Sequence, residues 1–359
     1  MKLFLLSGFL GSGKTTAIQQ ACLQLMKQGI HAGVITNDQG AQLVDSAFIK
    51  SFQIAHREVV NGCFCCNYSQ LEKGIRSLGK ESDPGIVFAE SVGSCTDVIA
   101  TVIKPLQQFH AEMEIVLSVF ADATVMLKML EGIPFCFDDD VNYIYEKQLE
   151  EADVLVINKA DLLDDSQLQH LKKKSGNRFV SKKILYQNSL KEEDILKWLK
   201  TLNGFDGGIL RKSLEINYDQ YGAGEGKLAW LDDEVEIISE TAHAHELATR
   251  LINRIYEKIK QHQYPVGHLK FFIKAGEWQK KISFTSLLEP GLKQTPSLMR
   301  FEKVDMLINA RVQTEPEKLE IIFYEAIREV VKDSNDKIIS RRLSVFQPGY
   351  PKPAHRIEY

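Results

Sequence analysis

Residues 8–15 read Gly-Phe-Leu-Gly-Ser-Gly-Lys-Thr, directly after the apolar run Lys2–Ser7 and before a stretch of helical spacing over 15–28. A strand that feeds a glycine-rich turn and then a helix aims backbone N–H groups at a polyphosphate, so the order of the three parts constrains the fold more than the pattern itself. Gly8, Gly11 and Gly13 let the backbone wrap phosphates with no Cβ in the way. Lys14 then reaches the β and γ oxygens, and the Thr15 hydroxyl is placed to hold Mg²⁺. A nucleoside triphosphate is the expected ligand, with Gly11, Ser12, Gly13, Lys14, Thr15 and Thr16 around its phosphates.

Further apolar runs follow at 32–36, 58–60, 85–89, 115–120, 154–157 and 183–186, and segments 67–78, 140–151 and 192–202 have three-and-four apolar spacing. Strands alternating with helices predict a mostly parallel sheet covered on both faces, with ligands at the carboxyl ends of its strands. The glycine-rich stretch 203–208 marks a change of pattern. Beyond it the sequence predicts strands at 214–218, 228–238, 269–274, 281–285 and 305–311 and helices at 246–261 and 316–331, a smaller α+β domain. The expected organisation is an α/β P-loop domain over 1–205, the α+β domain over 206–332, and a proline-containing basic tail over 333–359 that packs or binds in extended form.

With 359 residues and 44% hydrophobic content the chain is long enough for two cores. A net charge of −4 and the lack of a long basic run argue against nucleic acid or a membrane surface as partner. Met1 to Leu6 is read as a buried strand rather than a signal peptide, because cleavage would remove the phosphate loop. The six cysteines are clustered rather than spread as a disulfide framework, and no apolar stretch reaches bilayer length. The expected location is the cytoplasm.

Asn158-Lys159-Ala160-Asp161 follows the run at 154–157. A carboxylate at Asp161 can accept hydrogen bonds from N1–H and the exocyclic amine of guanine, a pairing adenine does not offer, so the expected nucleotide is GTP. The run at 86–89 ends in Glu90, followed three residues later by Gly93. An acid there can hold a magnesium-bound water while the Gly93 N–H senses the γ-phosphate, which makes the segment a switch. Asn37-Asp38-Gln39-Gly40 is the natural first switch, with Asp38 near the metal or the attacking water; a turn-forming Asn-Asp pair is the alternative. Lys14, Thr15, Asp38 and Glu90 are thus the candidate catalytic set, and Gly93, Asn158, Lys159 and Asp161 join the nucleotide site.

Asn61-Gly62-Cys63-Phe64-Cys65-Cys66 places three thiols within four positions. Zn–S bonds of about 2.3 Å need sulfurs only roughly 3.8 Å apart, a spacing neighbouring thiols on an irregular loop can supply. Three ligands leave a fourth position for water, Asp38, Cys95 or a client protein. Softness favours Zn²⁺, with Co²⁺ or Ni²⁺ also admitted; a redox thiol pair and plain buried cysteines are the competing readings. Cys22 and Cys136 are expected in the core, His243, His245, His268 and His355 as surface or packing residues, and Asp138-Asp139-Asp140 as a helix cap.

Taken together, Gly8 to Thr15, Gly62 to Cys66, Glu90 to Gly93 and Asn158 to Asp161 resemble the CobW-like branch of the metal-chaperone GTPases that also includes UreG and HypB. Glutamate at 90, in place of the aspartate usual in P-loop GTPases, is a mark of that branch. The resemblance covers about the first two hundred residues and implies a GTP-hydrolysing metallochaperone, whose metal sits on the cysteine loop and passes to a client on hydrolysis. Asn37-Asp38-Gln39-Gly40 departs from the family's glutamate-bearing version, and Ser91-Val92-Gly93-Ser94-Cys95-Thr96 adds a thiol. That variant and the His-Arg tail resemble members serving corrinoid methyltransferase systems, which brings a corrinoid-dependent client among the expectations, along with a homodimer. The alternative function is a non-catalytic GTP-switched binding module with structural zinc.

Overall fold

Leu3, Phe4, Leu5 and Leu6 are fully buried, as are Val154, Leu155, Val156 and Ile157, the burial on both faces that makes a parallel strand one continuous apolar run. The structure is a computed structural model that describes residues 1–40, 44–82, 84–133, 136–206, 211–286, 289–293 and 300–358. Strands β1 (Lys2–Ser7), β2 (Ala32–Asn37), β3 (Ala55–Val59), β4 (Ile86–Glu90), β5 (Glu114–Asp122), β6 (Val154–Asn158) and β7 (Lys183–Gln187) form a parallel sheet in the order β3-β2-β4-β1-β5-β6-β7. Only partly buried β3 lies at its edge. The chain turns to one side of β1 first and to the other after β4, so every connection from a carboxyl end near β1 opens onto the same rim.

The connecting helices are α1 (Lys14–Lys27), α2 (Val44–Lys50), α3 (Tyr68–Ser82), α4 (Lys104–Phe109), α5 (Ala123–Leu130), α6 (Asp139–Glu151), α7 (Asp165–Arg178) and α8 (Glu192–Asn203), with a π-helical turn at Ile99–Ile103 leading into α4. Trp198 of α8 anchors one core face: its ring stacks on Phe88 and meets Phe120 edge-on, and its buried N–H donates to Ser118 Oγ at 3.0 Å. Asp138 caps α6 by accepting from the Asp140 and Val141 amides, the role expected of that acidic run. Residues 214–218, expected as a strand, are irregular up to Tyr218, where helix α9 (Tyr218–Gly226) begins.

Packing divides the chain into two units, one of Met1–Gln39, Ile49–Gly224 and Tyr350–Tyr359, the other of Gly40–Phe48 and Glu225–Gly349. The boundary expected at 205/206 borders residues 207–210, which lie outside the described residues. In the second unit β8 (Leu228–Ile238), β9 (Val266–Ala275), β10 (Trp278–Phe284), β11 (Lys303–Gln313) and β12 (Lys337–Ser340) form an antiparallel sheet in the order β10-β9-β11-β8-β12, and β13 (Ser344–Phe346) also pairs with β8. Residues 333–359, expected as a tail that packs or binds in extended form, contribute these last two strands.

Along β11, Val304, Met306, Ile308, Ala310 and Val312 alternate into a core shared with Leu247, Leu251, Ile255 and Ile259 of α10 (Ala244–Gln261) and Leu319 and Phe323 of α11 (Pro316–Val331). The other register carries Asn309 and Arg311, whose guanidinium lies 3.9 Å from the Trp230 ring and 2.7 Å from Asp232 Oδ1. Here the Gly40–Phe48 segment belongs to the second unit's packing: Val44 N donates to Asn309 Oδ1, and Asp45 pairs with Lys270 and Lys281. Those two ammonium groups overcome the effect of burial and hold the Asp45 carboxyl well below the usual carboxylate range.

Candidate functional site

The phosphate loop is shaped by positions that exclude a side chain. Gly8, Gly11 and Gly13 have φ of 124°, 76° and 94°. A Cβ on Gly8 would stand 2.1 Å from Phe120 O, and one on Gly13 would stand 2.3 Å from Asn158 Nδ2. Behind the loop, buried Lys14 donates from Nζ to Gly8 O at 2.6 Å, which holds the ammonium across the turn. Thr15 Oγ1 donates to Glu90 Oε1 at 2.9 Å, so the hydroxyl and the carboxylate form one set of hard oxygen donors that fits Mg²⁺.

Asn158 links this loop to the segment after β7: its Nδ2 donates to Ser12 O at 2.8 Å, and its Oδ1 accepts from the Ser189 amide and hydroxyl. Lys159 sits in the left-handed region at φ 59° and pairs with Asp122 at 2.8 Å. Asp161 is exposed on the short helical turn Ala160–Leu162. Gly93 lies directly on the phosphate loop, where a Cβ would come within 2.7 Å of Leu10.

Cys63, Cys65 and Cys66 gather their sulfurs at the carboxyl end of β3, on a loop that Asn37 latches from the end of β2. Asn37 Nδ2 donates to Val59 O and Gly62 O, and its Oδ1 accepts from Phe64 N at 2.8 Å. The next residue, half-buried Asp38, donates its own amide to Val59 O. Cys65 and Cys66 Sγ are 3.8 Å apart, the separation two ligands of a tetrahedral zinc have at roughly 2.3 Å bonds, whereas Cys63 and Cys65 Sγ approach to 2.6 Å and would have to part to admit an ion.

Cys95, five residues beyond the carboxyl end of β4, is in hydrogen-bonding contact with the Cys63 and Cys65 sulfurs. Hydrogen bonds from Cys65, Cys66 and Cys95 push the Cys63 thiol well below its ordinary range. Hydrogen bonding to Cys63 raises Cys66 to about 11.

Two residues of α6 hold the segment that carries Cys95, and sequence reasoning missed both. Fully buried Gln148 donates from Nε2 to Gly93 O at 3.0 Å and to Cys95 O at 2.8 Å. One turn on, Glu151 accepts from Thr96 Oγ1 and from Ile99 N at the start of the π-helical turn. Their spacing of three puts both on one helix face, a signal visible in sequence only once the partner segment is known.

Cys22 is buried in α1 as expected, and burial raises its thiol to about 12; Cys136 is exposed, which corrects its assignment to the core. His268 is buried, His243 contacts Arg300, and His355 packs edge-on against Tyr68 and Phe109, so none joins the thiols. Among the described residues no helix is long and apolar enough to cross a membrane.

The family model for the CobW/HypB/UreG nucleotide-binding domain matches residues 2–185. This chain belongs to the CobW/HypB/UreG family. It is 26% identical over 204 residues to the zinc chaperone CobW of Sinorhizobium sp, spanning 51% of this chain and 57% of that one. To the zinc chaperone YjiA of Escherichia coli it is 28% identical over 170 residues, 46% of this chain and 51% of that one. The zinc-regulated GTPase metalloprotein activator 1 of Saccharomyces cerevisiae is 26% identical over 187 residues, 45% of this chain and 42% of that one. The chain thus spans about half the length of the curated relatives it matches. HypB from Helicobacter pylori, solved in complex with nickel, aligns at 15% identity with a TM-score of 0.42 over 60% of this chain and 91% of that one. The family model thus covers the parallel sheet from β1 into β7.

Proposed function

We propose that this chain is a GTP-hydrolysing metallochaperone that carries a thiophilic divalent ion, zinc first, on Cys63, Cys65, Cys66 and Cys95 and passes it to a client protein in a reducing compartment. The observation that carries the reading is the position of Cys95, two residues after Gly93 on the segment pressed against the phosphate loop. Four thiols alone would close a tetrahedral site and read as a structural staple. Here three of them sit on a loop latched to β2, while the fourth rides on a switch. A γ-phosphate that draws in the Gly93 amide moves one ligand relative to the other three.

Support for the nucleotide roles comes from the same geometry. Lys14 and the loop amides take the phosphates, Thr15 and Glu90 take Mg²⁺, with Glu90 acting through water, and Asp38 stands on the first switch. Mg²⁺, when bound, supplies charge neutralisation to the β and γ oxygens. Asp161, exposed beyond Lys159, reads guanine, and Asn158 keeps that segment in register with Ser12. A client with corrinoid chemistry is the finer form of the proposal and rests on the Ser91 to Thr96 variant.

The test is a zinc titration of the nucleotide-free, GDP and non-hydrolysable GTP forms, with Cys95→Ser beside them. Linkage predicts a difference in zinc affinity between nucleotide states, typically about 1–3 kcal/mol, and its loss in Cys95→Ser. Equal affinity in all three states would reduce the site to structural zinc in a GTP-switched binding module, the second reading that the closed four-thiol set favours.

A further inference from the structure

The C-terminal residues 350–358 run across both halves of the thiol cluster. Tyr350 and Pro351 rest on α9 at Gly222, where a Cβ would come within 2.8 Å of the Tyr350 ring, and Tyr350 Oη donates to Asp219 Oδ1 at 3.2 Å. The Lys352 amide hydrogen-bonds to the Cys66 sulfur, and Ala354 N donates to Cys65 O at 2.8 Å. His355 lies edge-on against Tyr68 and Phe109, with ring centres 4.9 and 5.6 Å away.

The path then crosses to the segment after Cys95. Arg356 Nε donates to Asp97 Oδ2 at 2.8 Å, and Asp97 is fully buried in the left-handed region at φ 63°. Ile357 N donates to Ala100 O at 2.9 Å, and its carbonyl accepts from Ser213 Oγ at 2.7 Å. Two main-chain bonds, an aromatic pocket and a buried carboxylate are how a groove recognises an extended peptide.

We propose that this surface is where the client's metal-receiving segment docks, and that residues 350–358 occupy it as an intramolecular stand-in that covers Cys66 until an extended client segment displaces them. The proposal rests on the metal-delivery reading. Cys63, Cys65 and Cys95 are buried and Cys66 is the partly exposed sulfur, so an incoming donor approaches through Cys66, the side the tail covers. Transfer is ligand exchange: the donor's bond to the ion forms as the Cys66 bond breaks, and the proton lost by an incoming thiol is taken by the released Cys66 thiolate. The partner's segment offers two backbone N–H groups three residues apart to Cys65 O and Ala100 O, a cation to Asp97, and a thiol or imidazole between them.

Thiol labelling of the full-length, reduced, metal-free protein tests the surface without metal or nucleotide, with modified Cys66 located by mass. Arg356→Ala removes a charge-assisted bond and Gly222→Ala pushes on Tyr350 from outside the tail, and each should speed Cys66 labelling about tenfold, the effect of roughly 1.4 kcal/mol. Cys22 in the core should stay slow, and a variant in which it speeds up has unfolded and is replaced by the other. A synthetic peptide of residues 349–359 should restore slow labelling, and the same peptide with Arg356→Ala should not.

Zinc-loaded Arg356→Ala protein should then lose its ion faster to the 349–359 peptide carrying His355→Cys than to a scrambled peptide of the same composition. Unchanged Cys66 labelling in folded variants, or equal zinc loss to both peptides, overturns the proposal. Faster labelling in a protein that binds no zinc would instead keep the tail's seat and remove the metal-delivery reading beneath it.

Discussion

The phosphate loop and the cysteine loop lie on the same rim of one sheet, yet they are held by opposite means. The phosphate loop is set by its own backbone: Gly8 and Gly13 occupy positive φ and leave no room for a Cβ. The cysteine loop takes its shape from side chains far away in sequence, above all Asn37, whose amide satisfies Phe64 N, Gly62 O and Val59 O. A loop fastened by side chains on other elements can change when those elements move, which suits the proposed holding and release of a metal.

The largest effect should come from breaking the backbone-determined half at its charges. Lys14→Ala and Glu90→Ala remove the groups proposed to meet phosphate and Mg²⁺, so GTP hydrolysis should fall by about two to three orders of magnitude or more. Zinc binding without nucleotide should persist in Lys14→Ala, because Lys14 donates to Gly8 O and Phe9 O of the phosphate loop. Steady-state phosphate release and zinc titration on the same preparations check this. Near-normal turnover in folded Glu90→Ala would remove that residue from the reaction.

Asn37→Ala attacks the other half. It leaves the buried Phe64 amide and the Gly62 carbonyl without their partner and Val59 O with the Asp38 amide, at a cost of about 1–3 kcal/mol. Zinc affinity should drop with stability, while GDP affinity should change little. Denaturant unfolding and paired titrations of zinc and GDP make the measurement; equal losses for both ligands would show that the two loops behave as one rigid body.

The same contrast explains what could be read from the residues alone. Gly8 to Thr15 and the central strands were legible because their signal is local: glycines at fixed offsets and unbroken apolar runs. Helix α5, Ala-Thr-Val-Met-Leu-Lys-Met-Leu, was hidden by being apolar nearly throughout, and α7 by burying only Leu171 and Ser175. In α5 only Thr124 and Lys128 break the apolar run, and α7 has no apolar stripe to mark it as a helix. The three loop thiols stood out by spacing, and Cys95 as an extra thiol, but their meeting depends on Gln148 of α6, whose partners are backbone carbonyls that carry no sequence signal. The short strands β12 and β13 hid inside a tail whose prolines all lie beyond them.

The smallest effect is a pH dependence that isolates the support behind Cys95. Burial raises the Glu151 carboxyl to about 8, although the Ile99 amide and the Thr96 hydroxyl favour its charged form. In the unfolded chain this group loses its proton near its ordinary value of 4.5, whereas the native protein keeps it up to about 8. Between those values the folded state holds the extra proton, so stability falls as pH rises through the window and levels off above it. Glu151→Gln keeps an acceptor for Ile99 N, turns an amide donor toward the Thr96 hydroxyl oxygen, and does not titrate. The melting temperature of the variant relative to the parent should therefore rise from pH 5 to pH 8, in metal-free protein where no thiol is ligated. A constant difference across that range would mean that Glu151 is ionised in the native state, and that the segment bearing Cys95 is held against α6 by a charge rather than by a neutral hydrogen-bonded acid.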